Sequence, residues 1–168
     1  MKTHLKILLT FLLTIVMSSL MAQGLVKFEG ANHKVGFKDK NGNVVIVPKY
    51  DKASKFNDGF AWVELNRKKG FIDKTGKEIT PLKYNEVGHF NYGFAWVEVS
   101  SKMGFIDKTG KEITPLKYRN TGNLNFSRVG LAPVAIEINQ RGEVKYGFIN
   151  KTGKEITSLK YDYVSNNP

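Results

Sequence analysis

Residues 70–84 read Gly-Phe-Ile-Asp-Lys-Thr-Gly-Lys-Glu-Ile-Thr-Pro-Leu-Lys-Tyr, and the same fifteen residues recur without change at 104–118. The copy at 147–161 differs at only two positions, Asn150 and Ser158, and a divergent first copy spans 36–50. Successive copies begin 34, 34 and 43 residues apart, and a second block, Phe56 to Glu64, returns at 90–98. Self-similarity of this kind identifies a tandem repeat.

Each repeat unit has the pattern of short strands rather than helices. Its glycines and usual proline would break a helix, and its apolar runs are only about four to six residues long. Ala61, Val63 and Leu65 alternate with other residues, which is the period of two typical of a strand. Asp73 and Gly76 are the first and fourth residues of a predicted type I turn with a glycine bulge, which joins two strands as a hairpin. We therefore predict roughly three short strands per unit.

The predicted fold class is all-β, with tandem β-hairpin repeats forming an antiparallel array. One unit cannot bury its apolar side alone, so neighbouring units must stack. An open sheet, a barrel-like closure and a short solenoid all satisfy the pattern, and a compact array is favoured because four units are few for an extended solenoid. We predict one repeat domain over 23–168, with units at approximately 34–66, 67–100, 101–143 and 144–168. Two aromatic columns are expected in its core: Phe37, Phe71, Phe105 and Phe148, and Tyr50, Tyr84, Tyr118 and Tyr161.

The first 22 residues have the three-part layout of a secretory signal peptide. Lys2 and Lys6 carry the only formal charges, and a largely apolar run over 7–16 leads to Ala22. We predict a signal-peptide helix, cleavage between Ala22 and Gln23, and a secreted or periplasmic mature protein. An uncleaved anchor is the alternative. No later segment is apolar enough to form a membrane-spanning helix of about 20 residues.

Composition limits the chemistry of the chain. It has no cysteine, which excludes disulfides, thiolate metal sites and a cysteine nucleophile. The formal net charge is +11, and removal of Lys2 and Lys6 leaves about +9. A basic balance of this size favours anionic neighbours through long-range attraction.

The repeated residues resemble the WG-containing repeats of bacterial proteins, also called KWG repeats. The resemblance rests on Gly-Phe-Ile-Asp-Lys-Thr-Gly-Lys-Glu-Ile, the later Lys-Tyr and Phe-x-x-Gly-x-Ala-x-Val, and covers about residues 34–164. The tryptophan that names the family would precede each Gly-Phe, where this chain has Val35, Lys69, Met103 and Tyr146. Lys69 leads us to expect that this position is at least partly exposed. The family is a repeat scaffold with no general activity, so the resemblance implies an architecture and leaves the role open.

Residues suited to catalysis are scarce. His4 lies in the signal peptide, and His89 occupies the place that Lys55 occupies one unit earlier, which indicates a tolerant surface position. The chain has no phosphate loop, metal-binding histidine pair or nucleophile elbow. The segment 39–43 resembles the start of a calcium loop but lacks the later acidic ligands, and its aspartate fits a turn-starting role. We therefore expect no enzymatic activity, no cofactor and no metal.

A candidate binding surface is formed by lysines of the repeated turns, two tryptophans and one inserted hairpin. Stacked units would align the turn lysines into basic rows able to follow an anionic polymer, although a solvated, solubilising face is the alternative. The tryptophans are either half-buried cover or a binding platform. The third interval contains extra residues that predict a longer hairpin over 130–147, with Arg141 at its tip, and we hypothesise that this hairpin contributes to partner recognition. The complete set is Lys74, Lys77, Lys108, Lys111, Lys151, Lys154, Trp62, Trp96 and Arg141.

These features favour a non-catalytic binding or interaction module in the cell envelope or outside the cell. Its expected partner is an unknown protein or an anionic envelope or extracellular polymer, rather than nucleic acid. An open sheet edge could also pair with another chain to form an oligomer. The alternatives are a purely structural spacer and an envelope hydrolase.

Overall fold

The computed structural model describes residues 24–119 and 126–162, so the predicted signal peptide lies outside the described residues. This part of the chain contains eleven β-strands and one 3-10 turn, Ala31–His33. The strands are β1 (Val26–Glu29), β2 (Val35–Lys38), β3 (Val44–Tyr50), β4 (Lys52–Ala53), β5 (Phe60–Leu65), β6 (Lys68–Asp73), β7 (Glu86–Val87), β8 (Phe94–Val99), β9 (Lys102–Asp107), β10 (Leu131–Glu137) and β11 (Val144–Asn150).

The strands form four separate antiparallel sheets, ordered β1-β2-β3, β4-β5-β6, β7-β8-β9 and β10-β11. The all-β fold of tandem hairpins is therefore confirmed, and the array is open rather than closed into a barrel. The sheets do not coincide with the predicted sequence units. The strand that contains Ala-Trp at the end of one unit pairs with the Gly-Phe strand at the start of the next, as Val63 pairs with Gly70. Within the described ranges, no helix is long and apolar enough to cross a membrane.

The predicted turn forms the same hairpin in successive sheets. Asp73 Oδ1 accepts hydrogen bonds from the backbone N–H groups of Thr75 (2.8 Å) and Lys77 (3.1 Å), and Gly76 has a φ of 86°. A glycine is favoured there because other residues rarely adopt positive φ. Asp107 and Asn150 make the equivalent bonds in the next two sheets. The short polar side chains are therefore explained by turn geometry.

The chain then returns along the outer edge of each hairpin. Thr80 Oγ1 accepts the backbone N–H of Phe71 at 3.0 Å, and Tyr84 exchanges backbone hydrogen bonds of 2.9 and 3.1 Å with Lys69. This returning edge covers the position that precedes each Gly-Phe. As a result the Lys69 side chain is only 14% exposed and Met103 only 1%. The expectation of partial exposure therefore fails at Met103, because the edge around Tyr118 packs over it.

Three hydrophobic clusters fill the junctions between successive sheets. At each junction one phenylalanine meets another edge-on: Phe37–Phe56 at 4.8 Å, Phe71–Phe90 at 4.9 Å and Phe105–Phe126 at 5.3 Å between ring centroids. The expected aromatic columns are confirmed as core at these three junctions. Their last members differ, because Phe148 is half-buried and Tyr161 is 42% exposed.

Candidate functional site

Contacts between turns and hairpin arms fix the positions of the turn lysines. A Cβ atom at Gly110 would lie 1.9 Å from the carbonyl oxygen of Ile79, and one at Gly153 would lie 1.9 Å from that of Ile113. The turn of each sheet therefore rests directly on the arm of the preceding hairpin. The alignment of the turn lysines into rows stays a prediction.

The turn lysines differ from one another in their partners. Lys108 Nζ lies 3.1 Å from Asp58 Oδ1 of the preceding sheet, and Asp58 Oδ2 accepts the backbone N–H of Gly93 at 2.9 Å. Lys77, Lys111, Lys151 and Lys154 are exposed, and none of them forms an ion pair with a carboxylate of the described residues. Among these five turn lysines, Lys108 is therefore the one that pairs with a carboxylate of the described residues.

A second set of lysines links the sheets to one another. Lys83 Nζ and Tyr84 Oη contact Glu112 Oε1 at 2.8 and 3.3 Å, and Lys117 and Tyr118 contact Glu155 in the same way at 2.6 and 3.1 Å. Burial, together with the neighbouring glutamate, raises the pKa of both tyrosines, and Lys117 lowers the pKa of Glu155. We name this arrangement the Lys-Tyr-Glu link, and it holds consecutive sheets in register.

Two cavities open beside the first and second sheets, and one of them reaches His89 of the third-sheet segment. Their volumes are about 520 and 620 Å³, and Lys27 and Lys55 line both of them. Lys52, Trp62 and His89 line the first cavity, and Leu25, Phe56 and Lys74 line the second. We name the two together the basic groove.

The acids in the groove walls are engaged by lysines that do not line it. Asp51 Oδ1 lies 2.5 Å from Lys34 Nζ, a contact that lowers the pKa of Asp51, and Asp58 is paired with Lys108. Lys27 Nζ lies in the wall and donates a hydrogen bond to the carbonyl of Ala53 at 2.8 Å. The lining is therefore positively charged, which suits an anionic ligand.

The sequence model of the WG containing repeat matches the chain at residues 36–68, 70–102, 103–137 and 146–167. The chain belongs to this family. Comparison with the curated proteins returns no match. The match supports the repeat architecture seen in the four sheets, and in this WG-repeat chain the role must be argued from the residues themselves.

The two tryptophans of the WG-repeat chain are half-buried cover over the sheet junctions. The Trp96 indole lies so close to the backbone at Gly88 that a Cβ atom there would meet Nε1 at 2.2 Å. Trp62 packs on the core between the second and third sheets, with Lys69 Nζ 5.4 Å from its ring centroid. Ser54 occupies the place of Gly88 beside Trp62, where the indole also lines the basic groove.

The inserted hairpin forms as expected. Strands β10 and β11 pair from Leu131↔Asn150 to Glu137↔Val144, and Arg141 is exposed in the connecting turn. Asn139 Oδ1 organises this turn by accepting the backbone N–H of Arg141 at 3.0 Å. The role of Arg141 in partner recognition stays a prediction.

Of the predicted surface residues, Trp62 and Lys74 line the basic groove, and the other seven do not. Sequence reasoning missed Lys27, because it precedes the first recognisable repeat copy. Yet β1 pairs with β2 as β5 pairs with β6, which places Lys27 where Trp62 stands one sheet later. Among the described residues, no group of three or more histidine, aspartate or glutamate side chains is placed to hold a metal ion.

Proposed function

We propose that the mature chain is a secreted or periplasmic, non-catalytic binding module that binds an acidic polysaccharide in the basic groove. The proposal rests chiefly on one observation: Lys27, Lys55 and Lys74 line adjoining cavities whose acids, Asp51 and Asp58, are paired with lysines outside them. The signal-peptide layout and the basic net charge agree with a ligand of the envelope or the extracellular space.

The lining of the basic groove suits the chemistry of a sugar acid. Lysine ammonium groups attract carboxylate or sulfate groups, and their attraction weakens as salt is added. Trp62 and Phe56 offer apolar surface for the C–H faces of the sugar rings. Two adjoining cavities also favour an elongated ligand over a single compact one.

The test is a titration of the folded mature protein with polygalacturonate, with neutral dextran as the matched polymer. A Trp96→Phe background leaves Trp62 as the only tryptophan and therefore as a fluorescence reporter of the groove. We expect saturable binding of polygalacturonate that weakens between about 50 and 300 mM salt, and no response to dextran.

Two matched variants separate a site from general charge attraction. Lys55→Ala should weaken binding about fivefold, equivalent to about 1 kcal/mol for one ion pair. Lys77→Ala removes the same charge from an exposed turn outside the groove and should leave the affinity within about twofold of the parent. Equal losses in both variants, or no saturation, would overturn the proposed site.

A structural spacer is the second candidate, and the Lys-Tyr-Glu links favour it. Lys83 and Lys117 are engaged in holding neighbouring sheets together rather than facing a ligand. A spacer predicts that no anionic polymer binds saturably and that substitutions in the groove change only stability.

A further inference from the structure

The second and third junctions between successive sheets each join two different faces. The earlier sheet presents a face with a buried phenylalanine, an isoleucine carbonyl and a Lys-Tyr pair, as Phe105, Ile113, Lys117 and Tyr118 do at the third junction. The later sheet presents a turn glycine and, two residues on, a glutamate. We name these the acceptor face and the donor face.

The fourth sheet presents an acceptor face that is open. It is formed by Phe148, Ile156, Lys160 and Tyr161. Ile156 is 45% exposed and Tyr161 is 42% exposed, whereas Tyr84 and Tyr118 are 1% exposed at the covered junctions. Lys160 Nζ lies 5.6 Å from the Tyr161 ring centroid, and within 24–119 and 126–162 no carboxylate pairs with it.

The backbone of the open face already has the conformation found at the covered junctions. Tyr161 exchanges backbone hydrogen bonds of 2.8 and 3.3 Å with Tyr146, as Tyr118 does with Met103. Phe148 donates its backbone N–H to Thr157 Oγ1 at 2.8 Å, which repeats the bond between Phe105 and Thr114. Little rearrangement is therefore needed before a partner can dock.

We propose that this open acceptor face binds a β-turn of a second polypeptide in which a glutamate follows a glycine by two positions. The glycine is required because a Cβ atom at the equivalent Gly110 and Gly153 would meet a backbone carbonyl oxygen at 1.9 Å. The glutamate is required because it would accept the hydrogen bonds of Lys160 and Tyr161, as Glu155 accepts those of Lys117 and Tyr118.

The donor face of this chain's own first sheet lacks the required chemistry. Val44 stands in the glutamate position, and Lys38 stands where the buried Ile72 stands one sheet later. Lys38 Nζ lies 5.6 Å from the Phe28 ring centroid on that face. A second copy would therefore bring an ammonium group and no carboxylate to Lys160, and the structure points to a different polypeptide.

The test converts the first sheet into a donor. The double substitution Lys38→Ile and Val44→Glu gives the chain the pattern of the covered junctions. We expect sedimentation to show concentration-dependent end-to-end oligomers of this variant and monomers of the parent chain. Adding Lys160→Ala and Tyr161→Ala to the same variant should restore the monomer.

Two controls keep the test decisive. Lys38→Ile with Val44→Gln keeps the shape without the charge and should associate about tenfold more weakly, since charge-assisted hydrogen bonds are about twice as strong as neutral ones. Val44→Glu alone changes a side chain that is 54% exposed, so it should fold even if the double variant does not. It should associate detectably but more weakly than the double variant, because Lys38 remains on the donor face. Monomers of both folded glutamate variants, or association that is indifferent to Lys160 and Tyr161, would overturn the proposal.

Discussion

Replacing Gly110 by alanine should destabilise the array far more than the same replacement of Gly42. Both glycines end the same kind of turn, with φ of 82° and 88°, so each alanine incurs about 1–2 kcal/mol of left-handed backbone strain. At Gly42 no atom lies within 4 Å of the new Cβ, whereas at Gly110 the carbonyl oxygen of Ile79 lies 1.9 Å away. Relieving that overlap separates the turn from the preceding sheet and adds about 1–3 kcal/mol.

Urea unfolding followed by circular dichroism measures both variants against the parent chain. We expect Gly42→Ala to lower the free energy of unfolding by about 1–2 kcal/mol and Gly110→Ala by about 2–5 kcal/mol. Gly153→Ala repeats the contact at the next junction and should match Gly110→Ala. Because repeat arrays couple only nearest neighbours, the Gly110 variant should also broaden the transition. Equal losses at Gly42 and Gly110 would refute the close stacking of turn on arm.

Three further predictions concern the Lys-Tyr-Glu links and the predicted signal peptide. Burial and Glu155 raise the pKa of Tyr118, so its contribution to stability is complete below about pH 10 and declines as pH rises further. Tyr118→Phe should therefore reduce the fall in the free energy of unfolding at alkaline pH. An unchanged slope would contradict this. Lys117 lowers the pKa of Glu155, so its contribution is present above the ordinary value of 4.5 and is lost as pH falls below it. Glu155→Gln should therefore lower the free energy of unfolding by about 1 kcal/mol at neutral pH and by less near pH 3. Glu78 forms no such link, so Glu78→Gln should change the free energy of unfolding little. N-terminal sequencing of the protein exported from a bacterial host should begin at Gln23, and retention of Met1 would show that the leader is not cleaved.

The hairpins could be predicted from the sequence because their determinants are local. Asp73 and Gly76 lie within one turn, and their hydrogen bonds and positive φ depend on few distant residues. The place of β1 could not be predicted in the same way. Lys27 and Phe28 do not resemble Trp62 and Val63, and only the pairing of the backbones shows that they are equivalent.

The basic groove escaped prediction for a different reason. Lys27 lies in β1 and Lys55, 28 residues later, lies in the loop after β4, so their approach depends on how two units stack. The sequence repeat also gives most weight to residues that recur, and some of these, such as Lys108 and Lys117, are engaged in contacts between sheets. Recurrence in a stacked array therefore indicates the residues that hold it together as readily as those that bind.

The repeated contacts fail at the two ends of the described array, and both candidate sites lie there. At the first junction the buried Tyr50 hydroxyl has no hydrogen bond to a glutamate of the described chain, whereas Tyr84 and Tyr118 are linked to glutamates. This junction therefore lacks the Lys-Tyr-Glu link that holds the next two in register. Positions that depart from the pattern of the other repeats are expected where function competes with stability. The basic groove adjoins Tyr50 through Asp51 and Lys52, and the open acceptor face lies at the opposite end of the array. Binding is therefore best sought at the two ends, where the contacts between sheets depart from the repeated pattern.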